Sequence, residues 1–118
     1  MTILCCGDRN WKHYYVIYAR LSEYRGQDVT IIHGNASGAD RMSAKVAVDL
    51  GLSVKSFQAE WEKFGKAAGP IRNSRMLAEG NPDLVIAFHD DIRNSKGTKD
   101  MIDKAKRKKI TTEVISST

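Results

Sequence analysis

The sequence predicts an α/β fold of the Rossmann kind, a five-stranded parallel sheet in the order 3-2-1-4-5 with helices on both faces. Three observations carry that prediction. Short apolar runs alternate with runs of helical spacing from one end of the chain to the other. The run Leu84–Phe88 is apolar throughout, as a strand covered on both faces must be. The loops after the apolar runs are rich in glycine and polar residues, and most of them lead into a helix. Right-handed crossovers then put the first strand in the middle. Ligands of such sheets bind beyond the carboxyl ends of the strands where the order reverses, here between the first and fourth strands.

Each element has its own signal. Thr2–Cys6 is a short apolar strand stopped by Gly7. Lys12–Arg25 places Tyr14, Ile17, Tyr18, Leu21 and Tyr24 on one helical face, with Gly26 behind it. Val29–His33 is the second strand, and Ala39–Leu50 the second helix, ended by Gly51. Leu52–Phe57 is the third strand. An irregular stretch, Gln58 to Gly69, precedes a helix over Pro70–Glu79 with proline at its first position and Gly80 after it. After Leu84–Phe88 come a polar loop, Asp90–Lys96, a helix, Gly97–Lys109, and a last strand, Ile110–Ile115.

At 118 residues the chain fits one domain, and 42% hydrophobic with 28% charged residues is the balance of a soluble globular protein. No apolar run approaches the roughly 18 residues of a membrane span, and Met1-Thr2 leads straight into a short apolar segment unlike a signal peptide. The expectation is a cytoplasmic protein. Cys5 and Cys6 are adjacent and read as small strand residues in a reducing compartment. No Cys/His spacing suits zinc, and His33 and His89-Asp90-Asp91 lack a third partner, so neither metal nor cofactor is expected. The net charge of +5 is concentrated: residues 93–109 carry eight basic side chains against Asp100 and Asp103.

Four loops converge at the predicted carboxyl ends: Gly7–Trp11, His33–Asp40, Gly65–Asn73 and Asn94–Thr98. Three of them open a helix, so free N–H groups and the positive end of the dipole point into the crevice. Glycine lets the backbone approach a phosphate closely. The expected ligand contacts are Gly7, Arg9, Trp11, Gly34, Asn35, Ala36, Ser37, Gly38, Asp40, Trp61, Arg72, Asn73, Gly97 and Thr98. Several have plainer readings beside the functional one. Ser37 and Asp40 have the spacing of a capping box, which would tie off the helix instead. Trp11 and Trp61 could be core residues, although Trp61 falls where a ring could stack on a base. Arg9 could be a solvated loop residue. Arg72, close to a helix start, is unfavourably placed in the dipole, a misfit that an anion would relieve. Lys106-Arg107-Lys108-Lys109 reads as a solvated helix end, with a nucleic-acid patch as the alternative.

Taken together, Gly7-x-Arg9-x-Trp11, His33-Gly34-Asn35-Ala36-x-Gly38-Ala39-Asp40, Ala59-x-Trp61, Ala68-Gly69-Pro70-x-Arg72-Asn73, Pro82-Asp83, Phe88 and Gly97-Thr98 resemble the YspA-like branch of the SLOG superfamily, named for the Smf/DprA and Lonely Guy proteins. The resemblance spans Gly7 to about Ala105. It implies a Rossmann-like domain that binds nucleotides or molecules derived from them, in proteins of bacteria and their phages, often paired as dimers through a helix face. Lonely Guy relatives hydrolyse the N-glycosidic bond of nucleoside monophosphates, DprA relatives bind single-stranded DNA, and others sense nucleotide signals.

Two departures weigh on the enzymatic version. The loop before Gly97-Thr98 lacks the paired glycines of the family, and the hydrolases continue Gly-Thr-x-x-Glu where this chain has Met101. Asp100 lies one residue earlier, about 100° around a helix. Asp100 and Asp40 are the only candidates for a catalytic carboxylate. The leading expectation is therefore a binding or sensor protein for a phosphate-bearing, nucleotide-derived small molecule. N-glycosidic hydrolysis or transfer is the alternative, followed by nucleic-acid binding through residues 93–109.

Overall fold

The computed structural model describes residues 1–118. Its strands are β1 (Thr2–Gly7), β2 (Thr30–His33), β3 (Ser53–Ser56), β4 (Leu84–Phe88) and β5 (Thr111–Ile115). Its helices are α1 (Tyr14–Leu21), α2 (Ala39–Asp49), α3 (Trp61–Phe64), α4 (Ala68–Gly80) and α5 (Gly97–Arg107). The sheet is parallel throughout, in the order β3-β2-β1-β4-β5. This is the predicted fold.

Side-chain alternation along the central strands divides the core into two layers. Ile3 and Cys5 of β1, Ile31 of β2 and Leu84, Ile86 and Phe88 of β4 face α1 and α2, meeting Ile17, Leu21, Val46 and Ala47. Leu4 and Cys6, Ile32, and Val85 and Ala87 face α4 and α5, meeting Met76, Leu77, Met101 and Ile102. No helix is long and apolar enough to cross a membrane. Burial pushes the Cys5 thiol up to about 12 and the Cys6 thiol higher than its ordinary value, so both remain protonated core residues.

Most element ends fall within a residue or two of the sequence expectation, and the larger departures surround the first, third and fourth helices. The stretch expected to be irregular contains α3 and a 3₁₀ turn, Gly65–Ala67, joined at Gly65 with φ 54°. Helix α4 begins at Ala68, so Pro70 is its third residue; a first-turn proline forfeits no intrahelical bond at any of these positions. The same helix ends on Asn81 in the left-handed conformation, while Gly80 lies within it. Gly80 is instead a packing residue, since a Cβ there would stand 2.4 Å from the Ile32 side chain. The first helix is shorter than expected, closing in a 3₁₀ turn over Ser22–Tyr24.

Candidate functional site

The carboxyl ends of β1 and β4 are held together at Gly7 and Phe88, the last paired residues of the two strands. A Cβ on Gly7 would lie 2.2 Å from the Phe88 carbonyl oxygen, so the glycine is required by the approach of two backbones. Beyond it the β1 loop turns on Asp8, whose carboxylate accepts from the Asn10 N–H at 2.9 Å and whose carbonyl accepts from the Trp11 and Ala39 N–H groups. The second of these bonds plugs the first turn of α2. Gly38, with φ 75°, packs on the same loop, a Cβ there falling 2.3 Å from the Asp8 oxygen. Ser37 completes the joint by donating its hydroxyl to the Arg9 carbonyl at 3.2 Å.

The capping box is therefore not formed. Asp40 reaches back, its Oδ2 accepting from the N–H of Gly34 at 3.0 Å and of Ala36 at 3.4 Å. The Asn35 N–H between them donates to His33 Nδ1 at 3.0 Å, with Asn35 itself at φ 58°. Burial lowers the His33 pKa, favouring the neutral imidazole that this bond needs. Three of the N–H groups expected to cradle a phosphate are thus consumed inside the loop, and Asp40, 4% exposed, is a brace for that loop. Desolvation by burial raises its pKa to about 6 against the pull of those N–H groups and of Arg72 and Arg41.

Arg72 also has a partner within the protein. It is the fifth residue of α4, past the first turn where the dipole is felt, and its Nη1 donates to the Gly34 carbonyl at 2.9 Å. The misfit inferred from its position is thereby answered without an external anion, although the guanidinium still stands half-buried beside the loop. Asn73 follows it and is buried. Its amide donates to the Gly97 carbonyl at 3.2 Å and to Asp100 Oδ2 at 3.1 Å, tying α4 to the first turn of α5.

That first turn is the open part of the crevice. A Cβ on Gly97 would meet nothing within 4 Å. The Thr98 N–H is capped by Ser95 Oγ at 3.1 Å, a cap that the sequence reading overlooked although Ser-x-x-Thr at a helix start is a legible signal. A cavity of about 480 Å³ adjoins the turn, lined by Arg93, Asn94, Ser95, Lys96, Lys99, Asp100 and Asp103, with no hydrophobic residue among them. Lys99 is paired with Asp103 at 2.9 Å and Asp100 with Lys104 at 3.0 Å, while Arg93 and Lys96 form no ion pair. These two cations were not among the expected ligand contacts, because the sequence reading counted them with the basic run 93–109.

The two tryptophans separate. Trp11 is 3% exposed, packed against Phe88 and His13 with its Nε1 donating to the His13 carbonyl, so its expected ligand contact is corrected to a core role. Trp61 is 59% exposed, and its ring edge lies 3.6 Å from where a Cβ on Gly69 would stand. Gly69 and Asn73 are one turn apart on α4, about 6 Å along its axis. The exposed indole therefore stands about one helical turn from the residue that fixes the start of α5. Arg9 is exposed on the β1 loop, and Met101 is buried in the core between α5 and the sheet.

Comparison with known proteins agrees with this architecture. A solved structure of DNA processing protein A (DprA) from Streptococcus pneumoniae superposes with a TM-score of 0.73 over 98% of this chain at 15% sequence identity. The chain spans about half the length of that structure, with 49% of it covered. The Gene 61 protein of Mycobacterium phage D29 is 29% identical over 113 residues, covering 89% of this chain and 88% of that protein. Residues 1–64, which hold β1, β2, the braced loop and Trp61, match the family described as YspA, cpYpsA-related SLOG, and the chain belongs to that family.

Proposed function

We propose that this protein binds a phosphate-bearing, nucleotide-derived small molecule at the carboxyl ends of the sheet, with the phosphate at the N-terminus of α5. The observation that carries the reading is Asn73 bonded to Gly97, one turn of α4 away from the exposed Trp61. The start of α5 offers a positive dipole end, an unobstructed glycine and the unpaired cations Arg93 and Lys96. The indole offers a flat apolar surface for a base. In this reading the exposed Arg9 and the half-buried Arg72 would add positive charge between the two, with Asn35, Ser37 and Gly38 of the braced loop on the far side. The SLOG family relationship supports a nucleotide-related ligand, whereas the likeness to DprA supports the fold alone.

The test begins with mass spectrometry of small molecules released when the purified protein is denatured, followed by calorimetry with each nucleotide so identified. Gly97→Val should fold normally, because its side chain enters open space, and should weaken binding at least tenfold by covering the helix N-terminus. Unchanged affinity in a folded Gly97→Val protein would overturn the assignment of the phosphate to α5.

A further inference from the structure

The outer surface of α4 bears a second feature, separate from the crevice. Ala67, Pro70, Ile71, Ser74 and Ala78 recur at the spacing of one helical stripe and line an open cavity of about 480 Å³, edged by Arg75 and Lys104. Small side chains make it a trough, and Ile71 supplies an apolar wall. No carboxylate lines it, although Lys104 is held by Asp100 at 3.0 Å and donates to the Pro70 carbonyl at 2.8 Å, which leaves Arg75 and the end of α5 to supply charge for a partner. Arg75 is paired with Glu79 at 2.8 Å, but both side chains are largely exposed, so that pair exchanges at little cost. At the end of α5 the run Lys106-Arg107-Lys108-Lys109 is exposed and without ion pairs, and residues 97–109 hold six basic side chains against two acidic ones.

Charge selects the occupant. A second copy of the chain related by a two-fold axis would set this patch against itself, cations toward cations. A nucleic-acid backbone would satisfy the basic run and leave the apolar trough with nothing to cover it. We propose that the trough is a docking surface for an acidic amphipathic helix of a partner protein. Apolar residues at i, i+3, i+4 and i+7 of that helix would enter the trough, and its carboxylates would meet Arg75 and the basic end of α5. This proposal is independent of the ligand assigned to the crevice.

The experiment titrates the ¹⁵N-labelled full-length protein with a synthetic 18-residue helical peptide carrying leucine at that spacing and glutamate elsewhere. The expected result is saturable amide shifts confined to α4 and the second half of α5. Affinity should fall at least tenfold in Ser74→Glu, an exposed position whose substitution leaves the core intact, and at least tenfold in the variant with Lys106, Arg107, Lys108 and Lys109 changed to glutamate. The proposal is overturned if a scrambled peptide or its lysine counterpart binds equally well. It is also overturned if a 20-nucleotide single strand gives the same shifts and competes with the peptide, or if light scattering shows a dimer that Ser74→Glu dissociates.

Discussion

Arg72 lies over Gly34: its Nη1 donates to the Gly34 carbonyl at 2.9 Å, and its Cδ, Nε and Cζ atoms stand 2.7–2.9 Å from where a Gly34 Cβ would be. A methyl group at position 34 must therefore displace the guanidinium, which fixes one side of the crevice.

Arg72→Ala and Gly34→Ala should consequently share a phenotype. The Arg72–Gly34 bond has a charged donor and is worth about 1.5–3 kcal/mol, so losing the guanidinium that shapes the crevice should weaken ligand binding roughly ten- to a hundred-fold. Arg72→Lys should recover only part, because an ammonium lacks the planar fork that spans Gly34 and the crevice. Calorimetry with the ligand identified by mass spectrometry, beside denaturant melts of each variant, checks the expectation. Full affinity in a folded Arg72→Ala protein would remove Arg72 from the site.

The glycines divide into two kinds, and substitution should tell them apart. At Gly7 a Cβ meets the Phe88 backbone at 2.2 Å, and at Gly38 it meets the Asp8 and Arg9 backbone at 2.3–2.4 Å with φ already positive. Neither clash can be relieved by a side-chain rotation. Gly7→Ala and Gly38→Ala should each cost several kcal/mol, on the order of 3, as strain at a special backbone position does. Gly97→Ala should be neutral or slightly stabilising, since alanine favours a helix by about 1 kcal/mol over glycine. Thermal or urea melts of the three proteins give the ranking directly.

The sheet was legible because its signals are local and repeated. Leu84–Phe88 could hardly be anything but a buried strand, and each flanking helix announced its apolar face. The cluster of loops at the strand ends was legible as a place and less so as a set of bonds. Ser37-x-x-Asp40 has the same spelling whether the carboxylate caps α2 or braces the loop before it. The outcome depended on the Asp8 carbonyl, which arrives from another loop and occupies the Ala39 N–H. Likewise nothing near position 72 in sequence says that Gly34 will pass beneath it. Helix α3 escaped notice because four residues are too few for any periodicity to register. Arg93 and Lys96 read as members of the basic run 93–109 until the fold set them beside the start of α5.

Asp40 should leave a mark on the pH dependence of stability. Its carboxyl sits at about 6 in the folded protein against an ordinary 3.8, chiefly through burial. The folded state thus binds this proton more tightly than the unfolded chain. Its contribution is fully present below the ordinary value and is lost as pH rises to about 6, by about 3 kcal/mol. His33, held below 6.5 by burial, acts in the opposite sense, adding stability as pH climbs toward 6.5. Asp90, Asp103 and Glu113 are all lowered by hydrogen bonds, and their contributions disappear only under more acidic conditions. Subtracting the stability curve of Asp40→Asn from that of the natural protein isolates the Asp40 part. The variant should gain on the natural protein between about pH 4 and pH 6 and then level off, and a flat difference throughout would show that Asp40 titrates like an exposed carboxyl.

The crevice should bind its ligand without cleaving it at an appreciable rate. Hydrolysis of an N-glycosidic bond passes through a cationic ribose that needs a carboxylate close to the anomeric carbon. At the position where the family's hydrolases carry glutamate, Met101 is 1% exposed and packs into the core, so that point of the helix faces away from the crevice. Asp100 lines the cavity beside the first turn of α5 but is held by the Asn73 amide at 3.1 Å and the Lys104 ammonium at 3.0 Å. Asp40 is occupied with the Gly34 and Ala36 N–H groups. Both carboxylates thus have Oδ2 committed to bonds that shape the site, and no glutamate stands at the position of the hydrolases' catalytic group. Incubation with adenosine, guanosine, cytidine and uridine monophosphates, followed by chromatography for free base, should show no release or a very slow one. Release at several turnovers per second, abolished by Asp100→Asn while binding persists, would make Asp100 a catalytic residue and the protein an enzyme.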